Sequence, residues 1–282
     1  MCEFCHKHGE GKKWYLEAKN YGEDLLSDSR RSKMFTKFFS GPVDLDAAVT
    51  GMEKLNNLPN YVRRVITWNT TRRMKQVHYG QVLPIEDVEK IFGFVNSITR
   101  LACICRQATT KSEQRYCYGV SMGPNGGKFN ELMNQGAAAS FLAGPDTKGL
   151  ESVTKEEAIA AFREHEKEGC CHSVWTFITP FIGGVCNCDR QDCLAMRSTV
   201  TYRLPMMFRA EYVAGVDPEI CTGCRSCMRV CPFGAIGYSS AREKAAIDPC
   251  MCYGCGICRA VCAKGAVSLS ERASVPAAAK IW

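Results

Sequence analysis

Apolar positions along the chain recur mostly at helical spacing and seldom alternate, so the pattern predicts helices first. Trp14, Tyr15 and Leu16 open a helix-like stretch to Leu26, and Phe35, Phe38 and Phe39 form an apolar group before the Gly41-Pro42 break. Aromatics at this spacing belong in a core or a subunit contact. Val43–Leu55 reads as the next helix, closed by the turn Asn56-Asn57-Leu58-Pro59. Pro84, with Glu86 and Asp87 behind it, marks another start, since proline suits the first turn and acids favour the positive end of the dipole. Thr154-Lys155-Glu156-Glu157 is a capping box for a helix over 158–167, with Ile159 and Phe162 toward a core. Val174 to Ile182 has strand composition and is expected to back the cysteines that follow it. Gly119 to Gly127 matches no phosphate-binding fingerprint and reads as a loop, with cofactor contact as the alternative.

Charge enters in one run. Arg63, Arg64, Arg72, Arg73 and Lys75 interleave with Tyr61, Trp68 and Tyr79. A solvated face is the expectation, and docking of an acidic partner or anionic cofactor the alternative.

Beyond residue 220 the organising pattern is cysteine spacing. Cys221-x2-Cys224-x2-Cys227-x3-Cys231-Pro232 is repeated as Cys252-x2-Cys255-x2-Cys258-x3-Cys262, and both copies end in similar tails, Gly234-Ala235-Ile236 and Gly265-Ala266-Val267. This is the bacterial-type iron–sulfur spacing, in which the fourth cysteine of each run ligates the other cluster. On that rule Cys221, Cys224, Cys227 and Cys262 hold one [4Fe–4S] cluster, and Cys252, Cys255, Cys258 and Cys231 the second. Gly223 and Gly254 give the loops the freedom to wrap one face of a cube. A zinc ribbon needs four ligands and not this doubled set. The region closely resembles the two-[4Fe–4S] bacterial-type ferredoxin domain, which implies a βαββαβ unit. Cys250 stands outside the eight places and is expected to be a spare thiol.

A second constellation precedes it. Cys103-Ile104-Cys105-Arg106 is followed by Cys117, and Cys186-Asn187-Cys188 by Cys193, giving six thiols in two similar groups. Neighbours in a C-x-C pair diverge from disulfide geometry, so ligation of a further cluster is more natural; buried thiols acting as small hydrophobes are the alternative. The order of these elements, with Gly169-x2-His172-Ser173 and a terminal dicluster unit, resembles anaerobe 4Fe–4S-binding proteins of ill-defined function over roughly residues 80–270. Those proteins carry a denser cysteine run after Cys-Asn-Cys, where this chain has Asp189, Gln191 and Asp192. The resemblance implies cluster binding and no particular reaction. Adjacent Cys170 and Cys171 are expected to be bystanders, with His172 as a residue that could lie near chemistry. Cys2 and Cys5, with His6 and His8, read either as a small metal site or as incidental thiols of a chain end.

The bulk numbers narrow the class. With 282 residues the chain has room for more than the terminal unit, and 46% hydrophobic with 23% charged residues is ordinary for a globular protein. No apolar run reaches the roughly 18 residues of a membrane helix, nothing at the start resembles a signal peptide, and a cytoplasmic, reducing and anaerobic setting is expected. Nineteen cysteines so spaced argue against a disulfide scaffold. The formal charge of +7 falls to about +3 once two anionic clusters with their thiolates are counted, and no nucleic-acid readout motif is present. The fold expected is α+β: a segment 1–42 with Cys2-x2-Cys5, a helix-rich cysteine-containing domain 43–210, a dicluster domain 211–272 and a tail 273–282. The function expected is electron transfer, as a carrier or subunit of an anaerobic oxidoreductase complex, through two [4Fe–4S] clusters and at least one more. Its partners would be redox proteins or the other subunits of such a complex, with no nucleic acid. The alternatives are a redox enzyme subunit whose N-terminal cluster binds substrate, and a redox-sensing or scaffold subunit. Arg225, Arg229 and Arg259, inside the cluster loops, read as solvated side chains, or else as cations easing cluster reduction.

Overall fold

The computed structural model describes residues 13–39, 43–135, 138 and 148–281, so Cys2, Cys5, His6 and His8 lie outside the described residues. The fold is α+β, and its larger part is organised on a seven-stranded sheet. In chain order the strands are β1 (Gly80–Leu83), β2 (Ser97–Leu101), β3 (Cys117–Ser121), β4 (Glu151–Val153), β5 (Cys171–Thr176), β6 (Ile182–Cys188) and β7 (Met207–Phe208), and in space they run β4-β2-β3-β6-β5-β1-β7. Neighbours are antiparallel except β1 and β7.

Among the described residues the longer helices that accompany the sheet are α1 (Ser29–Phe38), α2 (Val43–Asn56), α3 (Asn60–Val77), α4 (Ile85–Phe94), α5 (Ile104–Thr110), α6 (Gly127–Met133) and α7 (Lys155–Lys167). The capping box at Thr154 forms as its sequence directs, with the Glu157 amide donating to Thr154 Oγ1 and Glu157 Oε2 accepting from the Thr154 amide. Trp14 to Ser27 forms three successive 3-10 turns instead of one helix. Their aromatics are pinned by polar tips: Trp14 Nε1–H donates to Gln81 and the Tyr15 hydroxyl to Asp87. The basic run lies on α3, which buries none of its side chains and leaves Tyr61, Val65 and Trp68 exposed.

Because successive strand residues point to opposite faces, the sheet sorts its side chains into two layers. One takes Tyr118, Val120, Val174 and Val185 under Ile91 and Phe92 of α4 and Phe162 of α7. The other takes Cys117, Cys171, Trp175, Cys186 and Cys188 against Phe35, Phe39, Phe129 and Phe177. The cysteines thus share one face.

The chain then builds a βαββαβ unit: β8 (Tyr212–Val216), α8 (Ser226–Val230), β9 (Ile236–Ser239), β10 (Lys244–Ile247), α9 (Ile257–Ala260) and β11 (Val267–Glu271). β8 pairs β11 and β9 pairs β10, both antiparallel. Phe233, Cys255 and Ile257 of this unit are buried in the same core as Cys171 and Cys188 of the large sheet, so the two parts share apolar burial. Among the described residues, no helix is long and apolar enough to cross a membrane.

Candidate metal centres

The two loops of the C-terminal unit need glycine at equivalent places. Gly223 has φ +69° and Gly254 φ +72°, and a Cβ would stand 2.2 Å from the Glu243 carbonyl oxygen and 2.1 Å from that of Tyr212. Neither contact admits a side chain. With the backbone so close, its amides turn inward: Gly223 N–H points at Cys221 Sγ (3.5 Å), Gly254 N–H at Cys252 Sγ (3.4 Å), Ala235 N–H at Cys231 Sγ and Ala266 N–H at Cys262 Sγ (both 3.3 Å). Such donors stabilise anionic sulfur, the state a cluster ligand must adopt.

Each repeat ends in a short helix that carries the third cysteine at its start and the fourth just past its end. One helical turn advances about 5.4 Å, so the fourth sulfur leaves its own loop. Cys221, Cys224, Cys227 and Cys262 line one cavity, of about 240 Å³. Cys231, Cys252, Cys255 and Cys258 line another. They differ in exposure: Cys224 is exposed, whereas Cys252, Cys255 and Cys258 are all buried. Burial pushes the Cys258 thiol up to about 12 and Cys255 well up, so these sulfurs ionise only with a cation to meet them. Arg225 lies over the Tyr238 ring and lines the first cavity, and Arg259 pairs with Glu86.

The six upstream cysteines converge on a third cavity, of about 70 Å³. Cys103 caps α5 and Cys105 lies in its first turn; Cys117 opens β3; Cys186 and Cys188 occupy one face of β6. Asp189 then accepts the amides of Gln191 and Asp192, a turn that brings Cys193 back to the same cavity. Cys186 Sγ is 3.4 Å from Cys117 Sγ. Cys103 contacts Cys117 and Cys105 through sulfur, Cys105 contacts Cys193, and Cys193 contacts Cys188. Among the described residues no group of three His, Cys, Asp or Glu side chains is placed to hold a metal ion; the six sulfurs line one cavity.

Arg106 bolts the two halves together. It is 2% exposed, pairs with Asp189, donates to the Asn187 carbonyl at 3.2 Å and lies 3.5 Å over the Tyr116 ring. Sulfur hydrogen bonds from Cys105 and Cys117, with the Arg106 charge behind them, hold the Cys103 thiol well below its ordinary range. The far wall is aromatic, built from Phe38, Phe39, Phe129, Trp175 and Phe177 together with His78, which burial pushes down to about 4 and so keeps neutral. Gly119, expected in a loop, lies within β3 and lines this cavity.

The remaining sequence candidates lie elsewhere. Cys170 is buried near Arg106, and Cys171 is the register partner of Cys188 and shares a core with Cys255; neither lines the third cavity. His172 faces the opposite layer, with Nδ1 2.7 Å from Asn187 Oδ1 and Nε2 3.8 Å from Glu166. Burial pushes His172 down to about 4 and Glu166 up to about 7, so both are neutral over much of the acid range. Cys250 is exposed, with its thiol toward the Ala277 carbonyl, and lines neither C-terminal cavity. Sequence reasoning passed over Arg272. It is 1% exposed and donates to the carbonyls of Ala210 (2.7 Å), Tyr212 and Cys252 (both 2.8 Å).

No curated protein matches the chain. Residues 214–263, which include all eight cysteines of the doubled spacing, match the 4Fe-4S dicluster domain, so the C-terminal unit is a domain of that family, built for two [4Fe–4S] clusters.

Proposed function

We propose that the protein moves low-potential electrons one at a time through three iron–sulfur clusters, as a carrier or as a subunit of an anaerobic, cytoplasmic oxidoreductase. The observation that carries this reading is three cysteine-walled cavities, the first and second sharing one apolar cluster and the second and third another. Exposed Cys224 marks the first, buried Cys255 the second and Cys188 the third, and Cys171, the register partner of Cys188, shares a core with Cys255. The cavity linings support Cys221, Cys224, Cys227 and Cys262 as ligands of one cluster and Cys231, Cys252, Cys255 and Cys258 of the next. A third is assigned to thiols drawn from both C-x-C groups. Each cluster, when bound, accepts or releases a single electron at a potential set by its surroundings.

The protein's own contribution is electrostatic and positional. Inward amides at Cys221, Cys231, Cys252 and Cys262 favour added negative charge, while burial around Cys255 and Cys258 opposes it. The cationic concavity of Arg63, Arg64, Arg72, Lys75 and Arg203 suits an acidic redox partner. A second reading, a cluster that meets substrate, is favoured by the aromatic flank of the third cavity, whose phenylalanine and tryptophan side chains bring no ligand.

The test is redox cycling of the full chain purified without oxygen. A low-potential one-electron donor should bleach its visible absorbance and a one-electron acceptor restore it, repeatedly and without loss of iron. Iron-loaded protein that fails to cycle would contradict an electron-transfer role.

A further inference from the structure

The third cavity holds more sulfur than one cubane cluster uses. Six cysteines line it, and a [4Fe–4S] cluster takes four thiolates. We propose that Cys103, Cys105, Cys188 and Cys193 hold the cluster, and that Cys117 and Cys186 form a redox-active dithiol/disulfide pair beside it that reduces disulfide substrates. The inference rests on the third-cluster reading above.

The division follows from the geometry. Cys117 and Cys186 are direct register partners across antiparallel β3 and β6. Opposed residues in such a ladder have Cα atoms about 4.5–5.5 Å apart, inside the window for a disulfide. Their sulfurs stand 3.4 Å apart and need to close by about 1.4 Å to bond. The other four thiols continue the contact chain from Cys117, through Cys103 to Cys105 to Cys193 to Cys188, around the start of α5 and the turn after β6. That set contains the whole first C-x-C pair and the two cysteines that flank the Asp189 turn.

The next register partners on the same face are Gly119 and Gly184, so the strands' own side chains leave the two sulfurs bare, and the Phe129 ring packs where a Gly119 side chain would stand. Cys117 and Cys186 are half-buried, as is Cys105, whereas Cys103, Cys188 and Cys193 are buried. The aromatic flank of Phe38, Phe129 and Trp175 gives an apolar groove to a small or extended disulfide.

The chemistry balances. One thiolate of the pair attacks a substrate disulfide, whose S–S bond breaks to release one thiolate and leave a mixed disulfide. The second cysteine attacks the protein sulfur of that bond, closes Cys117–Cys186 and releases the other thiolate. The two cysteine protons pass to the two leaving thiolates. The pair has lost two electrons and the substrate has gained them. Reset takes two electrons, delivered singly by the low-potential donor through the dicluster domain, and two protons from solvent. The protein is on this account a converter from one-electron to two-electron chemistry.

The test uses the full chain, purified without oxygen and treated with the small disulfide cystamine. Differential alkylation and peptide mass spectrometry should find Cys117 joined to Cys186 with iron content unchanged. Cys117→Ser and Cys186→Ser should keep wild-type iron and lose the crosslink, and oxidised wild type should take up about two more electrons than either variant. Cys103→Ser, by contrast, should lose about four irons. Loss of about four irons in Cys117→Ser or Cys186→Ser would make that residue a ligand and overturn the inference, as would iron-loaded wild type that forms no crosslink. Wild type holding only about eight irons would sink the third-cluster reading itself, and this inference with it.

Discussion

Replacing Arg106 with alanine is expected to empty the proposed third cluster site and to cost the fold about 3 kcal/mol or more, the scale for breaking a buried ion pair. The guanidinium meets Asp189, the Asn187 carbonyl and the Tyr116 ring at once, so its loss removes the link between α5 and β6. Those two elements carry the two C-x-C groups, more than eighty residues apart in sequence. Without the link the six sulfurs have no common centre. Arg106→Lys should fall between wild type and alanine, since an ammonium keeps the charge but neither the fork nor the flat face. Iron content and thermal unfolding of both variants check this. The dicluster domain should keep its iron, about eight per chain. Wild-type iron in Arg106→Ala would show that the cavity is assembled by something else.

Arg272→Ala is expected to loosen the second C-terminal site while leaving the first in place. One buried side chain serves the carbonyls of Ala210, Tyr212 and Cys252, which tie the connection from the large sheet, strand β8 and the second cysteine loop to one another. Each buried acceptor left without a donor costs about 1–3 kcal/mol, so roughly 3 kcal/mol or more is at stake. Tyr212 is also the residue whose carbonyl stands against Gly254, so a shift there reaches the turn that aims its amide at Cys252. Lysine should not restore the variant, because one ammonium cannot reach all three carbonyls in this fork geometry. Faster bleaching in air, with loss of about half the dicluster iron, is the expected reading. Unchanged stability and unchanged bleaching would show that the clamp is dispensable.

The βαββαβ unit was legible because cysteine spacing is itself a record of how a loop wraps a cube, and the repeat states it twice. The six upstream cysteines could be grouped from their two C-x-C motifs, but not their meeting around one volume, which depends on β3 and β6 being neighbours. The sheet that makes them neighbours left little periodic trace. β5 is buried along its whole length, with His172 and Val174 under one layer and Cys171, Ser173 and Trp175 under the other, so no polar face marks an alternation. β3 passes through Gly119 and hides in a glycine-rich stretch that reads as loop. Pro84 and Thr154 were legible for the opposite reason: capping chemistry is local and needs no partner elsewhere in the chain. Arg272 had no signal, since an arginine near a chain end looks solvated until the carbonyls around it are known. The same holds for Arg106 beyond its place after Cys105.

The central claim is that the chain carries three [4Fe–4S] clusters, one of them built between the large sheet and α5. Iron and acid-labile sulfide analysis of the full chain, purified without oxygen, tests it most directly. The account predicts about twelve of each per chain. About eight of each would contradict it, leaving a dicluster domain attached to a sheet whose six converging cysteines hold no cluster.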